Sequence, residues 1–210
     1  MAEENHPDWT ERHRPLSAVE LEGNMARRKT ISTWLQNWVK GEPKKKGLLL
    51  VGPPGVGKTS IARAMAKDYG WNIIEMNASD DRNAAKIRAA ATRGSVHQSL
   101  FDKPGESPSK TLILLDEVDH LSGRFSVSEE RIKKSIKGEN QFQNDALKGD
   151  SGGKGELLNL LRNTQQPVIM TCNDEMRLWS MSKGWKQRRD NFLRWVTKVD
   201  FQRVESEAMR

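Results

Sequence analysis

The chain has 210 residues, 35% of them hydrophobic, which is enough for one α/β domain or for one and a small part. Its 35 Lys and Arg against 28 Asp and Glu give a net charge of +7, which favours a polyanionic partner without specifying one. The single Cys172 excludes an intrachain disulfide and a multi-cysteine zinc site and fits a reducing, cytoplasmic setting; no apolar run approaches a membrane span, and the opening MAEENHPDW is neither basic nor apolar, so neither a signal peptide nor an anchor is read there.

Residues 24–40 carry Ile31, Trp34, Leu35 and Trp38 at helical spacing, which predicts an amphipathic helix whose tryptophans belong to a core. GEPKKKG (41–47) reads as an exposed turn with solvated lysines. GLLLV (47–51) reads as a fully buried strand. The loop behind it runs Gly52, Pro53, Pro54, Gly55, Val56, Gly57, Lys58, Thr59, Ser60, and Gly52 to Thr59 fits G-x-x-x-x-G-K-[ST]. In that pattern successive backbone N–H groups form an anion-binding nest, and the following helix, about 58–69, points its positive dipole end at phosphates. Lys58 would reach the β- and γ-phosphates of a bound nucleotide, and the Thr59 hydroxyl would bind Mg²⁺. Gly55 and Gly57 would allow a close backbone approach that a side chain would block. A chance match in a glycine-rich turn would lack the strand before and the helix after.

WNIIEM reads as a second strand, and DDRNAAKIRAAATRG as a helix with Asp at its start and Gly at its end. DKPGESPSK is a loop. TLILLDEVDH reads as a buried strand ending in acids. At such a tip in a P-loop nucleotidase, an acid in the place of Asp116 holds Mg²⁺ and its neighbour, here Glu117, polarises the attacking water. Taken alone, four apolar residues followed by acids also describe an ordinary strand end. Residues 121–153 are polar and rich in Gly, Ser, Lys and Glu, and read as a mobile insertion with at most one short helix. GELLNLLRNT is helical and PVIMTCND is another strand. Asn173 at its tip could sense the γ-phosphate and orient water, although an Asn-Asp pair also suits a simple turn. Cys172 reads as a small core residue. His97 and His120 have no partners at metal-ligand spacing and receive no role. VTKVDF (196–201) is a candidate fifth strand. Strands alternating with helices predict a parallel sheet with helices on both faces.

Together the motifs resemble the AAA+ ATPase domain of clamp-loader subunits, most closely the large subunits of archaeal replication factor C. DWTERHRPLSAVELEGN resembles the N-terminal box of that family, GPPGVGKTS its Walker A, EMNASDDRN its Asn-Ala-Ser-Asp box, LLDEVD its Walker B and TCND its sensor 1. The match covers about 8–120 and 153–175, and NASDDR is its most family-specific piece. The resemblance implies an α/β fold, a P-loop AAA+ domain with a five-stranded parallel sheet flanked by helices. It divides the chain into an N-terminal box segment (1–23), an AAA+ domain (24–205) with a polar insertion at about 121–153, and a truncated end (206–210) where a helical lid and a collar would follow. The absence of a Ser-Arg-Cys motif favours a large over a small subunit.

What the resemblance further implies is a motor that works with the small subunits, opens a ring-shaped sliding clamp and places it on primer–template DNA. ATP binding would order the assembly and hydrolysis would release it. Lys58 and Thr59 carry over to nucleotide binding, Thr59 and Asp116 to metal, Glu117 to catalysis and Asn173 to the sensor role. Arg12 and Arg14 belong to the N-terminal box near the nucleotide. Lys86, Arg88 and Arg93 lie on the helix after the Asn-Ala-Ser-Asp box, a region that tracks DNA phosphates in this family; each also reads as part of a solvated helix face. The arginines of MRLWSMSKGWKQRRDNFLRW (176–195) fit no part of the pattern. Two other readings stay open: a nucleotide-gated scaffold that binds clamp or DNA with little hydrolysis, and a generic AAA+ remodeller, which would not explain NASDDR.

Overall fold

An unbroken apolar run has no polar face to offer water, so GLLLV is a strand that needs covering on both sides. In the computed structural model β1 (Gly47–Val51), β2 (Asn72–Asn77), β3 (Thr111–Asp116), β4 (Val168–Cys172) and β5 (Val196–Asp200) form one sheet of order β2-β3-β4-β1-β5. Every pairing in it is parallel. The structure describes residues 15, 17, 20, 23–41, 43–78, 87, 110–125, 152–180 and 182–203. Arg12, Arg14, Lys86, Arg88, Arg93, His97, most of the N-terminal box, the stretch 126–151 and the end 204–210 lie outside the described residues.

Side chains alternate across a strand, and the two faces build two cores. Leu48, Leu50, Leu112, Leu114 and Ile169 pack with Ile31, Trp34, Leu35 and Trp38 of α1 (Met25–Val39) and Ile61, Ala62, Met65 and Ala66 of α2 (Lys58–Asp68). Leu49, Val51, Ile113, Leu115, Val168, Met170 and Cys172 face the other way. They meet α3 (Gly153–Asn163) through Leu157 and Leu161, α4 (Glu175–Trp179) through Leu178 and Trp179, and α5 (Trp185–Leu193) through Phe192. Each leucine so buried contributes about 1.5–3 kcal/mol. The tryptophans read as core are core: Trp34 and Trp38 are buried edge to face, and Trp34 Nε1 donates to Lys45 O at 2.8 Å.

The structure departs from the sequence reading at several places. β3 stops at Asp116, because Glu117 takes a left-handed backbone (φ 56°) that cannot continue an extended ladder, and a 3₁₀ turn, Val118–His120, follows. Leu121 and Phe125, at the front of the stretch read as a polar insertion, are buried in the core, and α3 begins at Gly153, ahead of the helix read from GELLNLLRNT. The lysines of GEPKKKG are not simply solvated. Lys45 Nζ donates to Leu193 O (2.8 Å) at the end of α5 and to Val196 O (3.1 Å) at the start of β5, and Lys46 Nζ to Arg162 O (3.0 Å) at the end of α3, so they serve carbonyls at helix ends that have no partner within the helix. Arg188, one of the unplaced arginines, donates to Lys183 O, Ser182 O and Ser182 Oγ and closes the turn leading into α5. Among the described residues no helix is long and apolar enough to cross a membrane.

Candidate functional site

The strand order sets β1 beside β4 instead of β2, so the tips of β1, β4 and β3 adjoin. In open parallel sheets the crevice beyond such a switch in order is where ligands sit. A pocket of about 270 Å³ opens there, lined by Pro54, Gly55 and Gly57 of the loop, Lys58, Thr59 and Ser60 of α2, Asp116 at the end of β3 and Glu117 just beyond it, and Thr171 and Asn173 of β4 and its tip. Of the other loop residues, Gly52 and Pro53 present carbonyls to Lys58, and Val56 packs half-buried against the α1–α2 core.

Two glycines have steric reasons. A Cβ on Gly52 would stand 2.6 Å from Phe201 O, where the end of β5 crosses the loop. Gly57 caps α2 with φ +82°, and with no side-chain cap it leaves the first N–H groups of the helix without a side-chain acceptor. Nothing lies within 4 Å of where a Cβ on Gly55 or Gly57 would be, so the cradle is open where a side chain would fill it.

Lys58 is 6% exposed, and its Nζ donates to Gly52 O, Pro53 O and Asn173 Oδ1, each at 2.8 Å. Burial lowers its pKa from the ordinary value, against the pull of Asp116 and the neighbouring acids. Asn173 Nδ2 donates to Glu117 Oε1 at 3.3 Å. A cation on one side and a carboxylate on the other define which way the amide points.

Thr59 Oγ1 donates to Asp116 Oδ1 at 2.9 Å. Thr171 Oγ1 donates to the same oxygen and accepts the Glu117 N–H at 3.0 Å, so one hydroxyl sets both acids. The Asp119 carboxylate in turn accepts the N–H groups of Asn173 (3.0 Å) and Asp174 (3.2 Å). The hard oxygens of Thr59 and Asp116 suit Mg²⁺, and the open glycine cradle at a helix N-terminus suits phosphate; the residues present fit both.

The residues assigned to the nucleotide from Walker A, Walker B and sensor 1 thus converge on one place. Sequence reasoning overlooked Thr171, Asp119 and Lys154. Thr171 carried a signal, a polar residue inside an apolar strand, and Asp119 stood in the quoted LLDEVD. Lys154 carried none: it is 2% exposed, and its Nζ donates to Ser180 Oγ (2.7 Å) and Arg177 O (3.2 Å). Cys172 is buried as expected, and burial pushes its thiol up. His120 stands 3.4 Å from Arg177 Nη1, and among the described residues no group of His, Cys, Asp and Glu could hold a metal by itself.

A parallel sheet whose strand opens through a glycine loop onto a helix, with acid- and amide-tipped strands alongside, is a P-loop nucleotide-binding domain. The profile of the ATPase family associated with various cellular activities (AAA) matches residues 48–189, and the chain belongs to that family. Membership implies nucleotide binding, usually with Mg²⁺. The chain is 37% identical over 166 residues to the replication factor C large subunit of Sulfurisphaera tokodaii, covering 79% of this chain and 31% of that protein. It is also 37% identical over 167 residues to the replication factor C large subunit of Methanococcus maripaludis, covering 80% and 28%. It spans less than a third of the length of these curated relatives. A katanin chain, from the structure described as "Structural Basis for Katanin Self-Assembly", shares the fold at a TM-score of 0.53 and 16% identity, over 89% of this chain and 53% of that one.

Proposed function

We propose that this chain is the ATP-driven motor domain of a clamp-loader large subunit, acting in DNA replication. The observation that carries the reading is the convergence of Lys58, Thr59, Asp116, Glu117 and Asn173 on one pocket, in a chain similar to replication factor C large subunits. With small subunits it would open a sliding clamp and place it on primer–template DNA. The division of labour follows from what each group can donate or accept. Lys58 exchanges the Asn173 amide and the loop carbonyls for phosphate oxygens, a charge-assisted contact. Thr59 and Asp116 hold Mg²⁺, which supplies positive charge against the phosphates when bound. Glu117 accepts the proton of the attacking water, whose oxygen displaces ADP from the γ-phosphorus. Asn173 Nδ2 holds the Glu117 carboxylate in line with that water.

Glu117→Gln keeps the side-chain shape and removes the carboxylate that takes the proton. In an assembly reconstituted with small subunits, clamp and primed DNA, this variant retains ATP binding and loses most steady-state hydrolysis. Turnover equal to wild type would mean that another residue is the base, or that this is not the working site.

A further inference from the structure

Asp119 lines no part of the pocket, yet it is 3% exposed and both of its carboxylate oxygens are engaged. Oδ1 accepts the Asn173 N–H at 3.0 Å and Oδ2 the Asp174 N–H at 3.2 Å, with His120 Nε2 3.9 Å from Oδ2. These two N–H groups belong to the two peptide planes that flank the Asn173 Cα. Peptide units are planar, so holding both planes sets φ and ψ of Asn173 together. From the far side Asp174 caps α4, its Oδ1 accepting Met176 N–H (2.9 Å) and Arg177 N–H (3.1 Å), so the segment does not slide along the chain direction either. With its backbone fixed, the Asn173 side chain leaves toward Lys58 and Glu117, with its amide at the pocket.

We propose that Asp119 is a positioning residue for nucleotide sensing: by holding both peptide planes of Asn173 it aims that amide at the terminal phosphate, and so sets how strongly the site prefers ATP to ADP. The inference rests on the reading of Asn173 as the γ-phosphate sensor. Asp119 does not touch the nucleotide, and it acts through the main chain of another residue. Removing the Asn173 side chain leaves its N–H on Asp119, which allows the two contributions to be separated.

The test is calorimetric titration of the 210-residue chain with Mg–ATP and Mg–ADP, in wild type, Asp119→Asn, Asn173→Ala and the double variant. Asparagine has the shape of aspartate but offers an NH₂ donor in place of one acceptor oxygen, so it cannot accept both N–H groups. In Asp119→Asn, affinity for ADP stays within about twofold of wild type, because the phosphate loop does not depend on Asp119. The ATP-to-ADP affinity ratio falls by roughly tenfold, the scale of one hydrogen bond to a charged group. In the Asn173→Ala background the same substitution changes nothing further, since residues acting through one contact are not additive. The proposal is overturned if Asp119→Asn keeps the wild-type ratio while Asn173→Ala loses it. It is equally overturned if Asp119→Asn weakens ATP and ADP alike and lowers the melting temperature, which is the mark of a purely structural role. A wild-type ratio retained in Asn173→Ala, or a wild-type chain that does not distinguish the two nucleotides, removes the sensor reading itself and is recognisable because Asp119 is intact in both proteins.

Discussion

Thr171 interrupts an otherwise apolar strand, and its hydroxyl does two things at once: it donates to Asp116 and accepts the Glu117 N–H. The site therefore depends on a side chain 1% exposed and free of formal charge. Valine has nearly the same shape and no hydroxyl, so Thr171→Val leaves the Glu117 N–H without its acceptor. A buried donor so orphaned costs about 1–3 kcal/mol. The expected outcome is a loss of that size in urea unfolding, with ATP hydrolysis in the assembled complex reduced at least about tenfold for a displaced pair of acids. Thr171→Ser, which restores the hydroxyl, recovers both. Unaltered unfolding and turnover in the valine variant would mean that the acids hold their places without Thr171. Asp116 and Glu117 could be read from the sequence as a pair at a strand tip; that Thr171, a lone polar residue in another strand, sets them could not, because the sequence does not say which strands are neighbours.

At the scale of elements, α4 is the piece with the least intrinsic support. Five residues are too few for a helix to persist on its own, so side chains from elsewhere hold it. Asp174 caps its start, Lys154 takes the Arg177 carbonyl near its end, and Glu175 accepts from Trp179 Nε1 (3.0 Å) and Lys198 Nζ (2.6 Å). Lys198 also reaches Asp200 at 3.0 Å. Burial acts to raise the pKa of Glu175, but the hydrogen bonds from Lys198 and Trp179 outweigh it and hold the carboxyl below its ordinary 4.5. Burial likewise acts to lower Lys198, and the bonds to Glu175 and Asp200 hold it above 10.5. A depressed carboxylate stabilises the fold above its unfolded pKa and stops doing so as pH falls through the lower folded value. A raised ammonium stabilises below its unfolded pKa and stops as pH rises through the higher folded one. The Glu175–Lys198 contribution is therefore complete between about pH 5 and pH 10. Glu175→Gln should melt below wild type across that range, by an amount that shrinks as both proteins are taken toward about pH 3. A constant difference at every pH would assign the effect to packing. The arginines between 176 and 195 escaped the sequence reading for a related reason: what Arg188 does is close a turn with Ser182 and Lys183, and such capping shows no periodicity.

For the molecule as a whole, the open question from composition is where the net charge of +7 is used. Part of it is structural, since Lys45 and Lys46 serve helix ends and Lys154 is buried under α4. Lys86 and Arg88 flank in sequence Ile87, which is helical and buried in the core. If the helix read from DDRNAAKIRAAATRG lines the inside of an assembled ring, Lys86, Arg88 and Arg93 meet phosphates and not bases. Binding of primer–template DNA by the complex with clamp and a slowly hydrolysed ATP analogue should then fall with salt, with a log–log slope near −0.9 for each phosphate neutralised. Replacing one of the three by alanine should weaken binding about equally on unrelated sequences and reduce the slope by roughly one. A triple alanine complex with the wild-type slope would place this helix away from DNA.

The sequence by itself determined the five strands, the helices near 24–40, 58–69 and 155–164, and which residues form the phosphate loop; the helices Glu175–Trp179 and Trp185–Leu193 were not legible in it. Burial on both faces leaves an unbroken apolar run such as GLLLV, helical packing leaves the spacing of Ile31, Trp34, Leu35 and Trp38, and a loop that lies close to phosphate leaves glycines before a lysine and a threonine. Only the tertiary structure decided which strands are neighbours. Lys58 and Asn173 are 115 residues apart, Thr171 and Asp116 are 55 apart, and their meeting depends on β4 lying between β3 and β1. Hydrophobic pattern records how deeply a strand is buried and is silent on which strand it pairs with. The roles of the groups that hold the site together, Thr171 and Asp119 above all, therefore became visible only when the sheet order set them beside their partners.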